Sequence, residues 1–419
     1  MRILKKYSSA VRENVLSWAK RMKSVDILVG IPCYNNEDTI AHVAKTVCDG
    51  LKKYFPDNGY ALFLSDGGSL DDTREIASRA SVTLGSKRKV AIYRGMPGKG
   101  TSFRAIFELA ELLKAKACIV VDSDLRSITP EWIKLLATPV LEKKAGFASP
   151  FYVRHKYDGT ITNHIIYPML RSLYGMRVRQ PIGGDFCFSG ELAALYADAD
   201  VWNTDVARFG IDIWMTTTAL NEGFKVVQVS LGNKIHDAKD PGADLGPMFS
   251  EVVSTFFYMM GKYENQWLPI EGSKPVEIVG KSPKSNNAPP VSVALSRLKE
   301  ELVDGFEQLE PLYRQIIDPD NYTQLKENIE LTKKGKDIIF PAELWAKILY
   351  DFAFTFQTWK RNRRKLITIL TPLYFGRTAA YCQEVAEMDE SGAEKVIEKQ
   401  AEIFEELKPY LVQKIEAWK

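Results

Sequence analysis

From Asp26 onward the chain alternates short apolar runs with longer stretches in which apolar residues recur every three or four positions. The short runs, bounded by turn residues, predict buried strands, and the longer ones predict amphipathic helices. Strands are expected over 26–33, 60–65, 89–93 and 118–121. A helix follows each. The first begins near Asn36-Glu37-Asp38-Thr39 and lines up Ile40, Val43, Ala44 and Val47, and others run near 71–80, over 101–114 and from Thr129-Pro130. Strands that alternate with helices pair in parallel through right-handed crossovers. The fold class is therefore α/β, with a Rossmann-like, mainly parallel central sheet.

Beyond Asp124 the rhythm loosens. Further strands are expected at 145–150, 185–189 and 225–231, with helices at 162–174, 209–222 and 249–263. Residues 272–293 mix proline with Ser, Asn and Lys and read as a linker. From Ala294 the apolar residues keep helical spacing, with breaks near Asp318-Pro319 and Pro341, which predicts an all-helical region of about four to six helices. The expected division is an N-terminal helix (1–24), a catalytic α/β domain (25–271), a linker (272–293) and a helical C-terminal domain (294–419).

Composition narrows the partners more than the fold. A net charge of +3 on 419 residues offers nothing to attract nucleic acid, and 26% charged with 45% hydrophobic residues is ordinary for a globular protein. The five cysteines (33, 48, 118, 187 and 382) are scattered without a C-x-x-C pair, which favours reduced thiols in a cytoplasmic setting and excludes a zinc site of that kind. No apolar run is long enough to span a bilayer, and the basic start Met1-Arg2-Ile3-Leu4-Lys5-Lys6 lacks the apolar core of a signal peptide. Residues 10–23 form a basic amphipathic helix for which a solvated surface position is the plainer reading.

The candidate chemistry lies at the strand ends. In an open α/β sheet ligands bind beyond the carboxyl ends of the strands. Gly30-Ile31-Pro32, Asp66, Gly98-Lys99-Gly100 and Asp122-Ser123-Asp124 each follow or close one of four successive strands, so one edge of the sheet should carry them all. Two carboxylates spaced i, i+2 can hold a divalent ion that neutralises a diphosphate. Lys99, between two glycines at a helix start, can approach a phosphate, and Asp66 can accept hydrogen bonds from a base or ribose. Plain alternatives exist: a helix-capping Asp-rich turn, a surface Gly-Lys-Gly turn, and a structural role for His236, which follows the 225–231 strand. The Gly-x-Gly-x-x-Gly and Walker patterns are absent, which points away from NAD and ATP sites.

These motifs resemble those of metal-dependent GT-A glycosyltransferases, in particular glucosyl-3-phosphoglycerate and mannosylglycerate synthases. The resemblance runs in unbroken order over about residues 25–240. It includes Ile31-Pro32-Cys33-Tyr34-Asn35-Asn36-Glu37, Ser65-Asp66-Gly67-Gly68-Ser69, Pro97-Gly98-Lys99-Gly100, Asp122-Ser123-Asp124-Leu125, Gln180-Pro181-Ile182-Gly183-Gly184-Asp185 and Gly210-Ile211-Asp212-Ile213. Gly67 stands where many relatives carry a second Asp. The resemblance implies a nucleotide-sugar site at Pro32, Tyr34, Glu37, Asp66, Lys99, Asp122 and Ser123, and Mg2+ or Mn2+ held by Asp124 and His236. It also implies net retention, with Lys99 and Asp212 at the reacting centre.

The implied reaction moves a hexose, glucose first, from a GDP- or UDP-sugar to D-glycerate or 3-phosphoglycerate. An acceptor carboxylate needs a cation, and Arg154 follows the 145–150 strand with a planar fork suited to two parallel hydrogen bonds. Thr160, Thr162, the N–H groups of Gly183 and Gly184, and Asp212 complete the expected acceptor set, while an ion pair between Arg154 and Asp158 is the bland alternative. The helical C-terminal region is the expected surface for a homo-oligomer. Competing functions are an inverting family-2-like transferase, which would normally add a Gln-x-x-Arg-Trp motif and membrane helices, a sugar-nucleotide nucleotidyltransferase, and a non-catalytic scaffold.

Overall fold

A computed structural model of the chain describes residues 7–236, 246–281, 288–360 and 362–419. Residues 1–6 and 282–287, on which parts of the N-terminal and linker expectations fall, lie outside the described residues. The chain divides into two compact units, interleaved along the sequence. The first comprises Met1–Val153, Gln180–Asp237 and Val276–Ala288, and the second comprises Arg154–Arg179, Ala238–Pro275 and Pro289–Lys419. Two segments expected inside the catalytic domain, 154–179 and 246–275, thus belong with the helical unit. Local periodicity reports which face of an element is apolar, not which core that face joins.

Ten strands are present among the described residues: β1 (Ile27–Cys33), β2 (Tyr60–Asp66), β3 (Arg88–Ile92), β4 (Ala117–Val120), β5 (Phe147–Val153), β6 (Met176–Arg177), β7 (Phe186–Ser189), β8 (Val226–Asn233), β9 (Lys274–Pro275) and β10 (Ile278–Val279). In the first unit eight of them form one sheet in the order β10-β8-β5-β7-β4-β1-β2-β3. It is parallel except at β7, which runs antiparallel to both β4 and β5. The expected mainly parallel sheet is therefore present. Part of the stretch read as a linker is structured, since Ile278–Val279 pair in parallel with Gln228–Val229.

Every residue of β1 and β2 is buried, as a parallel sheet covered by helices on both faces requires. The helix Ile40–Tyr54 supplies a stripe of Ile40, Val43, Ala44, Val47 and Leu51 to the same core, where it meets Ile27, Val29, Leu62, Ile119 and Ile133. Lys99–Leu112 is buried nearly all round, with Phe103, Ile106, Phe107 and Leu109 fully buried. That burial anchors the helix start, and with it Lys99, beside the strand ends.

Among its described residues the second unit has no strands apart from the short parallel pair of β6 with β9. Five helices make up its C-terminal stretch: Leu295–Ile316, Pro319–Lys333, Ala342–Thr358, Arg364–Glu384 and Glu390–Trp418. The breaks at Asp318-Pro319 and Pro341 fall where the sequence places them. Pro319 is in the first turn of its helix, with the Asp318 side chain accepting from Asp320 N, and Pro341 caps the next helix. Of the expected helix at 162–174, the first turn (Thr162–Ile166) is a π-helix that continues as the α-helix Tyr167–Tyr174.

Candidate active site

The carboxyl ends of β1, β2 and β4 converge as the parallel registers demand, with Cys33 beside Asp66 and Gly30 beside Val120. Two loops are tied there. The Ser123 hydroxyl donates to Asn36 Oδ1 at 2.8 Å, and the Thr39 hydroxyl donates to the Ser123 carbonyl at 2.8 Å. Pro32 lies within β1, while Tyr34 stands 57% exposed on the loop after it. Glu37 is spent on its surroundings, since its carboxylate accepts from Asp72 N at 3.0 Å.

Asp66 faces inward. It is fully buried, and its oxygens accept from Gly68 N (2.8 Å), Ser69 N (2.9 Å), the Ser69 hydroxyl (2.6 Å) and the Cys33 thiol (3.7 Å). These donors shape the 66–69 turn, so the carboxylate expected to meet a base or ribose is occupied within its own loop.

The centre of the site is an alternating chain of buried charges, Asp212–Lys99–Asp122–Lys234–Asp185. Lys99 Nζ lies 3.1 Å from Asp212 Oδ2 and 2.9 Å from Asp122 Oδ1. Lys234 Nζ lies 3.0 Å from Asp122 Oδ2 and 3.0 Å from Asp185 Oδ2, and donates to the Gly183 carbonyl at 2.7 Å. Asp185 also accepts from Asp122 N at 2.8 Å and from the Tyr152 hydroxyl. Burial works against all of these charges, yet Lys99 and Lys234 hold the Asp122 carboxyl well below the usual carboxylate range. Burial likewise opposes the Lys99 ammonium, but Asp122 and Asp212 keep its pKa above the ordinary lysine value. For Asp212 the loss of solvent prevails over Lys99 and raises its pKa, and its buried Oδ1 has no hydrogen-bond partner among the described residues.

Close backbone approach makes this packing possible. A Cβ at Gly100 would sit 1.8 Å from the Val206 carbonyl oxygen, and one at Gly184, where φ is +88°, would sit 2.0 Å from Asp122 Oδ2.

Asp124 and His236 are electrostatic neighbours. Burial, then the Asp122 charge, raises the Asp124 carboxyl, while Lys234 and His236 pull it down. Backbone bonds align the two segments, with Arg126 N donating to Ile235 O at 2.8 Å and Ile235 N to Ser127 Oγ at 2.9 Å. Asp122 is withheld from a cation by its two lysines, and no group of three His, Cys, Asp or Glu among the described residues is arranged to hold one. One carboxylate plus one imidazole fits a divalent ion that brings most of its ligands with it, as Mg2+ does on a diphosphate, better than a preformed cage.

The expected acceptor residues fall in different units. Gly183, Gly184 and Asp212 are in the first unit at the charge chain. Arg154, Thr160 and Thr162 are in the second. There Arg154 Nη1 lies 3.1 Å from Asp158 Oδ2, and the Thr160 hydroxyl, 2% exposed, shares a hydrogen bond with the Tyr374 hydroxyl at 2.5 Å. Lys234, Asp185 and Tyr152 were not among the candidates from sequence. The available signal was a lysine two positions before His236 on a strand end that otherwise reads as apolar.

Residues 28–200 match the family model described as Glycosyl transferase family 2. No curated protein matches the chain. Among solved structures, the chain is similar to glucosyl-3-phosphoglycerate synthase from Mycobacterium tuberculosis in complex with Mn2+, UDP and glucosyl-3-phosphoglycerate, with 23% identity over 61% of this chain and 86% of that one, at a TM-score of 0.44. A complex of that synthase with Mn2+, UDP-glucose and phosphoglyceric acid matches with the same identity, coverage and TM-score. A mycobacterial protein matches at 24% identity over 61% of this chain and 80% of its own, also at a TM-score of 0.44. No helix among the described residues is long and apolar enough to cross a membrane. Over residues 28–200 the chain is thus similar to glycosyl transferase family 2.

Proposed function

We propose that the chain transfers a hexose, glucose first among candidates, from a nucleoside diphosphate sugar to a small hydroxy acid of the glycerate type, with retention at the anomeric carbon. The observation that carries this reading is the buried chain Asp212–Lys99–Asp122–Lys234–Asp185 at the strand ends. It holds a lysine between two carboxylates, where an incoming diphosphate can compete for it. Mg2+ or Mn2+, held by Asp124 and His236, would neutralise the diphosphate and ease its departure. The solved complexes of the M. tuberculosis synthase with Mn2+, UDP-glucose and phosphoglyceric acid suggest the donor and acceptor classes to test.

Lys99 shifts towards the leaving phosphate oxygens and supplies positive charge where negative charge develops. Asp212, relieved of Lys99, offers a buried carboxylate to a hydroxyl of the sugar or acceptor. Asp122 stays ionised against Lys234 and keeps the Gly183-Gly184 turn in place. Double displacement needs a carboxylate nucleophile free to attack the sugar. Asp122 is clamped by two lysines and is unsuited to that task. Front-face substitution, with the leaving phosphate assisting removal of the acceptor proton, requires no such group. The N–H groups of Gly183 and Gly184 take the acceptor carboxylate.

The test is a matrix of UDP- and GDP-sugars against D-glycerate, 3-phosphoglycerate and a neutral sugar, with release of nucleoside diphosphate as readout. Proton NMR of the fresh product gives the anomer. An α-linked hexosylglycerate made only with Mg2+ or Mn2+ present is expected, and loss of Mn2+ binding in Asp124→Asn and His236→Ala should accompany it. A β-linked product, full activity in chelator, or glycosylation of the neutral sugar alone would overturn the reading.

A further inference from the structure

The second unit gathers positive charge in one short connection. Five of the six positions 360–365, Lys-Arg-Asn-Arg-Arg-Lys, are basic, in a chain whose 56 basic residues are nearly balanced by 53 acidic ones. This stretch joins the helix Ala342–Thr358 to the helix Arg364–Glu384, and Lys360, Arg363, Arg364 and Lys365 are all exposed. The ammonium groups of Lys360 and Lys365 make no hydrogen bond or ion pair among the described residues. Arg363 Nε donates to the Trp359 carbonyl at 3.1 Å and its Nη2 to the Gln357 carbonyl at 3.2 Å. Arg364 Nη2 lies 3.5 Å from Glu251 Oε1.

Helix energetics give no reason for this placement. A helix start carries the positive end of the macrodipole and is stabilised by acidic side chains, not by cations. The first turn of Arg364–Glu384 holds no acid, and its N-cap residue Arg363 supplies no capping oxygen. Cations crowded there repel one another and the helix end, so folding gains nothing from them, and their charge faces outward.

Exposed aromatic rings lie at the same end of the unit. Gln357 Nε2 donates to the Phe257 carbonyl at 2.6 Å, which brings the helix Gly246–Lys262 against the basic connection. The next residue, Tyr258, is 51% exposed, and the exposed Lys262 follows it by one turn. Just past that helix, Glu264 pairs with Lys419 at 2.7 Å, beside Trp418, which is 61% exposed. Tyr and Trp rings, apolar in body and polar at one edge, settle at the headgroup level of a bilayer, and neighbouring lysines and arginines are drawn to anionic lipid there.

We propose that this surface, formed by Lys360, Arg363, Lys365 and Lys262 with Tyr258 and Trp418, docks the chain on a membrane containing anionic phospholipid. The cations attract the headgroup phosphates, and the two rings enter the interface beside them. A nucleic acid calls for cations spaced along a track of successive phosphates, whereas most of these fall within one connection and the chain as a whole is close to neutral. The attachment is peripheral, and it is independent of the acceptor assignment above.

The full-length chain is sedimented with vesicles of phosphatidylcholine alone and of phosphatidylcholine mixed with phosphatidylglycerol, at low and high salt. Partition onto the mixed vesicles only, weakening as salt rises, is expected. The double variant Lys360→Gln/Lys365→Gln should bind less tightly by about fivefold for each cation removed. Neither side chain has a partner in the fold, so its Tm should match the parent. The control Lys334→Gln/Lys336→Gln removes two exposed lysines elsewhere in the unit and should bind as the parent does. Trp418→Ala should weaken the binding that survives high salt. Equal partition onto both kinds of vesicle, an equal loss in the control, or parental binding by Lys360→Gln/Lys365→Gln or by Trp418→Ala would overturn the proposal. So would a single-stranded RNA oligonucleotide that displaces the chain from the mixed vesicles and whose own binding depends on Lys360 and Lys365, since the surface would then be a nucleic-acid site.

Discussion

Replacing Lys234 with methionine is the sharpest test of the charge chain. The Lys234 side chain is 4% exposed and its partner Asp185 is fully buried, while Asp122 keeps 20% of its side-chain exposure. Removing one partner of a buried pair costs about 3–5 kcal/mol because the remaining charge is left uncompensated. Here both carboxylates retain other donors: Lys99 at 2.9 Å for Asp122, and the Asp122 N–H at 2.8 Å and the Tyr152 hydroxyl for Asp185. The low end, about 3 kcal/mol, is therefore expected, which for a unit of this size lowers Tm by roughly 6–12 °C. Calorimetry and urea unfolding at neutral pH measure the loss. Adding Asp185→Asn to Lys234→Met removes the stranded charge and should recover about half of it. A loss below about 1 kcal/mol in the single variant, or no recovery in the double, would refute the claim that Lys234 compensates buried carboxylates.

Three further outcomes follow from the same structure. Lys99→Met should lower kcat about 100-fold or more, because the charge that meets the leaving diphosphate is gone, and steady-state kinetics with saturating donor would reveal it. Gly184→Ala places a Cβ 2.0 Å from Asp122 Oδ2 at a φ of +88°, so Asp122 must shift; kcat/KM should fall about tenfold to 100-fold, and unchanged kinetics would count against the clamp. His164 is fully buried with neither ring nitrogen hydrogen-bonded among the described residues, and burial, followed by Arg377 and Arg179, pushes its pKa well below the ordinary 6.5. The folded chain then refuses a proton that the unfolded chain accepts, so stability is full above the unfolded pKa and falls by up to about 1.4 kcal/mol per pH unit below it. His164→Phe should flatten that slope, and identical slopes for parent and variant in urea melts across this range would contradict the assignment.

The alternation of fully apolar strands with striped helices determined the α/β class from sequence alone, because burial on two faces or one leaves different periods in the chain. It also determined that Pro32, Asp66, Lys99, Asp122 and Asp124 share one edge, since successive parallel strands must present their carboxyl ends together. Proline breaks marked two of the C-terminal helix starts correctly, because a residue without an N–H has few places to sit in a helix. What each carboxylate does at that edge was decided only in three dimensions. Asp66 looks solvent-facing in a Gly-rich turn, yet four donors turn it inward. Lys234 meets Asp122 across 112 positions and Asp185 across 49, a meeting that depends on β7 entering the sheet antiparallel between β4 and β5. The 154–179 segment, flanked by strands in sequence, takes its shape from helices more than 200 positions away, as the bonds from Lys156 Nζ to the Val385 carbonyl and from the Tyr381 hydroxyl to the Lys156 carbonyl show. Periodicity records the burial of a residue against its near neighbours, whereas strand order and long-range ion pairs are properties of the assembled chain.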